Sequence, residues 1–431
     1  MSLRRQLLTS FGVQGVGAAA VLLATLALGA SLGAEVQGSF NRTKSEIEFI
    51  AALAMFGLPQ ALFFYVKSGA LSGRAALHWV RGSALLALPI GAASALVQHG
   101  RASLWPVLLL SLAVAACVAH GQLRALLLVR ERTVWFNGVT ALPQLLVLVG
   151  VTALIGWGTT VASAWVALFG LAHAAAGLLA WRRLRATGGG SPGAVPVSPA
   201  VPAGPAMPVA TSAPTAPATP LPPAAAIGWR GLGHYGLAAW LTAVLATAAI
   251  LAAQRWVEAA EGAAALGQFT LAMTLVQVPL TPISYAAPLL FRRWMEQPGE
   301  QVSRRWAGAL FALVGGVAVA TWGLASVWAD LGLGPNYAGA TRALALLLAG
   351  GAAEAASRVL TVQASASGLP WVGVRAELAR WGVLGIGVLL PLPPGLLPLC
   401  AVWALAAGAA AAVFVRHAQR RVGSAAAEAA R

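Results

Sequence analysis

Long apolar runs dominate this chain and decide its solvent. A helix that crosses a bilayer needs about 20 mostly apolar residues, and the sequence supplies roughly twelve such runs. They fall at roughly 11–31, 47–66, 82–98, 104–123, 134–156 and 161–181 in the first half. In the second half they fall at roughly 233–253, 268–291, 307–328, 341–366, 376–392 and 396–415. Of the 431 residues 59% are hydrophobic and only 9% charged, against about 25% charged in a soluble domain. The expected fold is an all-α integral membrane protein. The first run follows Arg4 and Arg5, as a signal peptide would, but it exceeds the 7–15 residues of a signal core; it reads as an uncleaved span.

Charge tests the span assignment. With the N-terminus placed in the cytoplasm, Arg42, Lys44, Arg101, Arg255 and Arg342 fall outside and Arg358 lies within a span. The other 22 of the 28 Lys and Arg residues are then cytoplasmic. This is the positive-inside pattern. The net charge of +16 is therefore a topology signal with some attraction to anionic inner-leaflet lipid, and it gives no ground for a nucleic-acid partner. Trp105, Trp135, Trp157, Trp181, Trp256, Trp306 and Trp328 lie near span ends, where an interfacial belt belongs. Cys117 and Cys400 lie inside apolar runs and read as small core residues.

Residues 186–226 differ in kind: eleven prolines, no charge and no aromatic residue. Such a segment reads as a disordered cytoplasmic linker. It divides the chain into an N-terminal six-helix bundle (1–185) and a C-terminal one (227–431). The halves echo one another. "GAEVQGSF" at 33–40 and "GAAALGQF" at 262–269 share the pattern G-A-x-x-x-G-x-F at an offset of 229, which also places Pro59 on Pro288. Both copies are expected as turns after an odd-numbered helix. The halves are thus parallel repeats about an axis along the membrane normal, a layout suited to alternating access.

Three stretches carry a family resemblance: "LGASLGAEVQGSF" after the first span, "FGLPQALFFYVKSG" at 56–69 and "LGPNYAGATRAL" at 333–344. They resemble the polysaccharide transporter branch of the MATE/oligosaccharidyl-lipid/polysaccharide (MOP) flippase superfamily. Ala34 and Gln37 stand where that branch often has Pro and Tyr. The resemblance implies a flippase carrying undecaprenyl-diphosphate-linked oligosaccharide from the cytoplasmic to the periplasmic leaflet of a bacterial inner membrane. Its partners would be the lipid-linked oligosaccharide, membrane lipids, a polysaccharide polymerase and glycosyltransferases. No cofactor, metal or catalytic residue is implied, and there is no nucleotide-binding loop of the G-x-x-x-x-G-K-[ST] kind.

Ionisable residues inside spans cost about 2.5–3.5 kcal/mol each near the midplane, so each invites a reason. Glu354 and Arg358 are four apart on one helix, as are His120 and Arg124. In one reading the two arginines hold a diphosphate and Glu354 or His120 carries a coupling proton. In the other the arginines snorkel to headgroups and Glu354 neutralises Arg358. Gln14, Gln60 and Asn137 are candidates to line a sugar-binding cavity, with Gln144, Gln254 and Gln277 behind them; helix–helix hydrogen bonds are their ordinary alternative. His173 and His234 read as solitary, and Glu46 and Glu48 as solvated at the outer edge. An ion-coupled drug exporter of the same fold is the main rival function. A membrane glycosyltransferase or polymerase, or a scaffold without transport, are rivals of other classes.

A cysteine placed in 186–226 should be shielded from an impermeant thiol reagent in intact cells and labelled once the membrane is opened. Labelling in intact cells would overturn the six-plus-six arrangement.

Overall fold

A backbone in hydrocarbon has no water to bond, so its amides must be satisfied within helices. The computed structural model, which describes residues 3–67, 71–99, 104–129, 133–186, 229–296, 300–324, 337 and 340–429, is helical throughout. The elements are α1 (Leu3–Met55), α2 (Leu58–Lys67), α3 (Gly73–His99), α4 (Leu104–Val129), α5 (Thr133–Gly156), α6 (Ala162–Ala186), α7 (Trp229–Glu296), α8 (Glu300–Gly323), α9 (Ala340–Ala366), α10 (Trp371–Leu389) and α11 (Leu396–Ala429). All of the 186–226 linker beyond Ala186 lies outside the described residues.

Two helices are too long for one crossing. α1 has 53 residues and α7 has 68, and each doubles back at one glycine, Gly33 (φ 85°, ψ 171°) or Gly262 (φ 85°, ψ 179°). This region of backbone space is open essentially to glycine alone. The repeated motif thus makes the expected turn in a single residue, and the next helix starts at once. Nine described helices are long and apolar enough to cross a membrane, and two of them, Thr9–Met55 and Gly236–Thr281, are double. α10, which carries Arg375, Glu377 and Arg380, completes the twelve expected crossings. The second crossing departs from the expected 47–66 by breaking between α1 and α2 at Phe56 and Gly57. α7 runs unbroken through the equivalent 285–288.

The remaining motif positions explain why the pattern is written twice. Gly38 and Gly267 are where α1 and α7 cross. A methyl on Gly38 would stand 3.0 Å from the Gly267 nitrogen, and one on Gly267 would fall on the Ala34 carbonyl. Small residues of this kind let backbones touch. Phe40 and Phe269 are buried beside the crossing, one in each bundle. Around it the fully buried Gln37 accepts a hydrogen bond from Tyr337 Oη, and its Nε2 donates to Gly267 O at 3.5 Å. Asn41 Nδ2 donates to Gln37 O at 3.1 Å. Two ion pairs, Arg42–Glu258 and Arg255–Glu46, join the bundles, and Gln254 Nε2 donates to Ser45 Oγ at 3.0 Å. Glu46 is therefore mostly buried, its side chain 12% exposed, and not the solvated residue expected; the facing arginine draws it in.

The bundles differ in their cores. The C-terminal bundle has one continuous cluster, with Phe269, Leu280, Leu347, Cys400 and Trp403 among its members. The N-terminal bundle has two. One surrounds Leu28, Ile47, Val118 and Trp165, and the other surrounds Leu62, Leu127, Val139 and Leu184. The second also takes in Leu289 and Phe291 of α7; the candidate site borders the first.

Replacing Gly33 or Gly262 by Ala should destabilise the protein by about 1–3 kcal/mol, the usual cost of such a backbone conformation. Both should cost alike, because the conformations match. Gly15→Ala, at an open helical position, should be neutral or stabilising. Thermal unfolding in detergent measures all three.

Candidate functional site

A cavity of about 460 Å³ borders the first N-terminal cluster at Ala24, Phe40, Cys117 and Phe169 and reaches Trp240, Ala243 and Thr247 of α7. Its polar lining includes Asn41, Lys44, Glu48, Thr140, Gln144 and the two histidines His120 and His173. A second cavity of about 460 Å³ lies in the cleft between the bundles, walled by α2, α4 and α5 on one side and α7, α9 and α10 on the other. The two volumes share Pro59, Gln60, Gly121, Arg124 and Ala243. Gln60 and Arg124 thus stand at their junction. The far wall of the cleft offers the hydroxyls of Ser284, Thr361 and Ser365.

The local sequence accounts for the histidines. Pro143 lies inside α5 and has no N–H to give the carbonyl four residues back, that of Val139. His120 Nε2 donates to Val139 O at 3.0 Å and fills the vacancy. His173 is not solitary, as expected from sequence: its ring packs edge-on against His120, centroids 5.2 Å apart, and its Nδ1 donates to Phe169 O at 2.9 Å. The side chain of His234 lies outside the described residues. Lys44 Nζ and Glu48 Oε1 pair at 3.3 Å, one turn apart on the second limb of α1. The charged lining of the N-terminal cavity is two cations, Lys44 and Arg124, against one anion, Glu48. Arg124 lies 6.0 Å from the Phe136 ring centroid.

Gln14 and Asn137 line neither cavity. Gln14 Nε2 donates to Asn137 Oδ1 at 2.6 Å, and Asn137 Nδ2 to Ser10 Oγ at 2.8 Å, tying α1 to α5. Arg358 also lines neither. Its guanidinium stays within the C-terminal bundle, bonded to Ser284 Oγ, to Gln277 Oε1 at 3.1 Å and to Glu354 Oε1 at 3.4 Å. The arginines therefore do not face one cavity from opposite sides; Ser284 is the residue through which Arg358 borders the cleft.

Sequence reading missed the rest of this cluster. Arg380, assigned above to a cytoplasmic segment, is buried in α10, its side chain 4% exposed. It donates to Glu354 Oε2 at 2.5 Å, lies 3.4 Å from Glu377 Oε2 and sits over the Trp403 ring at 5.7 Å. Glu377 and Arg380 are three apart, a spacing that shares a helical face as the four-residue spacing of Glu354 and Arg358 does. The signal was present but lay at an expected span edge. Glu354, Glu377, Arg358 and Arg380 form a quartet of zero formal charge.

Arg380→Met should destabilise the protein by about 3–5 kcal/mol, because it leaves two buried carboxylates without their shared cation. Replacing exposed Arg375 with Met should have little effect. Membrane abundance and thermal unfolding check the contrast.

No known family profile matches this sequence, and no curated protein matches it. Solved structures do. A variant of the Vibrio cholerae MATE transporter VcmN is 14% identical over 97% of both chains with a TM-score of 0.65. A multidrug resistance MATE family transporter of the MOP superfamily, solved facing inward, is 14% identical over 97% of this chain and 98% of its own, TM-score 0.58. A MOP superfamily transporter from Pyrococcus furiosus, described as having a binding pocket of reversed polarity that suggests a different function, is 15% identical over 98% of this chain and 95% of its own, TM-score 0.60. The chain has the fold of the MATE transporters of the MOP superfamily.

Proposed function

We propose that the protein is an alternating-access flippase for an undecaprenyl-diphosphate-linked oligosaccharide in a bacterial inner membrane, with both termini cytoplasmic. The observation that carries this reading is Arg124 at the junction of the cleft and the N-terminal cavity. A guanidinium keeps its charge and matches phosphate with two parallel hydrogen bonds. The hydroxyls and Gln60 nearby suit sugar. The bundles touch at Gly38 and Gly267 and again at Gly57 and Gly236; cargo would enter the cleft left between them from the cytoplasmic side. The Pyrococcus furiosus neighbour is described as having a pocket of reversed polarity that suggests a different function, which is in keeping with a cargo other than a drug. Glycosyltransferases and a polymerase would supply and consume the cargo. Glu354, held between Arg358 and Arg380, reads better as a counter-ion than as a coupling acid, and His120 as the partner of the Val139 carbonyl.

The multidrug neighbour favours a second reading, export of small amphipathic cations. Against it, the first half holds four acids, Glu35, Glu46, Glu48 and Glu131. Glu46 and Glu48 are ion-paired, Glu35 is exposed next to the turn glycine, and Glu131 falls in the sequence between spans.

Loss of the gene should leave lipid-linked oligosaccharide on the cytoplasmic face and remove a surface or secreted polysaccharide. In proteoliposomes Arg124→Gln should lower flipping at least about tenfold, the loss of one charge-assisted hydrogen bond of about 1.5–3 kcal/mol, while Arg124→Lys retains part. Unchanged glycans with heightened sensitivity to cationic dyes would instead establish the exporter.

A further inference from the structure

A third cavity, about 890 Å³, lies on the flank of the N-terminal bundle between α2, α3 and the first limb of α7. It is of another character from the cleft. Leu58, Leu62, Leu86, Leu237 and Trp79 supply much of its wall, and His78 and Ser83 are its only lining residues that are neither apolar nor aromatic hydrocarbon-bodied. The Ser83 hydroxyl is turned into the bundle, donating to Gln122 Oε1 at 2.7 Å. This wall has little with which to bind a sugar or a phosphate. Phe56, Leu86 and Leu237 are exposed, so the groove faces the lipid.

One layer of residues separates the groove from the N-terminal cavity, which joins the cleft at Gln60 and Arg124. Phe56 stacks on Trp240 across the bundle interface, centroids 5.6 Å apart and planes at 25°. Beside them Gly57 and Gly236 are in backbone contact, so close that a methyl on Gly57 would overlap the Gly236 carbonyl. Trp240 borders both the groove and the N-terminal cavity. Its indole Nε1 donates at 3.0 Å to Leu53 O, a carbonyl in the last turn of α1, where helical partners run out. Phe56 itself has φ 46° and is the one non-glycine among the described residues with positive φ, a sparsely populated conformation for a bulky side chain. Helix break, strained residue and aromatic stack coincide on the partition, and the other half, unbroken through 285–288, has no counterpart to the break.

We propose that the flank groove takes the polyprenyl chain of the lipid-linked substrate while its diphosphate-oligosaccharide head enters the cleft, with Phe56 and Trp240 as the partition that the chain-to-head linkage crosses. This rests on the flippase reading. The two compartments match the two ends of such an amphiphile. An apolar groove open to lipid runs beside a hydroxyl- and arginine-lined cleft, and the bonded Ser83 leaves the groove fit for hydrocarbon. The break at Phe56 gives the partition a hinge.

The test uses the full-length protein in phosphatidylglycerol–phosphatidylcholine vesicles, an undecaprenyl diphosphate probe tipped with benzophenone, and a flipping assay with lipid-linked oligosaccharide. Photolabelling should map to 77–86 and 236–240 and be displaced by unlabelled undecaprenyl diphosphate but not by a tenfold rise in phosphatidylglycerol. Gly82 lines the groove and has open space where a side chain would go. Gly82→Phe should lower labelling and flipping at least tenfold, Gly82→Ala should leave both within twofold, and Leu86→Trp should behave like Gly82→Phe. If wild type flips and both bulky variants flip equally well, the groove assignment is wrong and the flippase reading stands. Equal displacement by phosphatidylglycerol also overturns it, since any membrane chain would then fill the groove. Wild type that neither flips nor labels removes the flippase reading and this inference together.

Discussion

Gly38 and Gly267 bring the backbones of α1 and α7 into contact, and the arrangement of both bundles follows from that crossing. In hydrocarbon there is no apolar driving force between helices, so close packing and polar bonds must hold them. Each glycine lies against the opposite copy of the motif, so the contact is reciprocal. Arg42–Glu258, Arg255–Glu46 and Gln254–Ser45 surround it, and Tyr337 locks Gln37 beside it. The bundles meet again at Gly57 and Gly236 and where Phe63 packs edge-on against Phe291, and the cleft is the space left between these contacts.

The halves share a plan but solve the problem of buried polarity differently. In the C-terminal bundle Glu354 and Glu377 face Arg358 and Arg380, and one apolar core closes around them. In the N-terminal bundle buried polar groups line a cavity beside the core instead. Pro143 creates part of that polarity by freeing the Val139 carbonyl, and His120 answers it. A proline and a histidine from different helices, 23 residues apart in sequence, thus act as one structural unit.

Much of this was legible in the sequence, for a physical reason: crossing a bilayer demands long apolar runs, and their number and order stand in the chain. The repeat at offset 229 was also visible. Its purpose was not, because G-A-x-x-x-G-x-F gives no sign that one glycine is a turn and the other a contact with its own repeat. Helical spacing found Glu354 and Arg358, but it sees one helix at a time, so Arg380, reaching Glu354 from α10, stayed hidden. The same limit made His173 look solitary and Glu46 look solvated. Gln14 and Asn137, 123 residues apart, could be recognised as polar in a membrane but not as each other's partner. The break at Phe56 lay inside an apparently uniform apolar run.

The neutral quartet has an electrical consequence. Moving one elementary charge through 100 mV takes about 2.3 kcal/mol. Two arginines and two glutamates locked together form a dipole with no net charge, so on this account moving the C-terminal bundle would take little work against the membrane potential. The field would act instead on Arg124, since Lys44 and Glu48 beside it pair with each other. On the proposed function, a diphosphate head would more than offset that single cation, so loading would reverse the sign of the charge that the potential acts on.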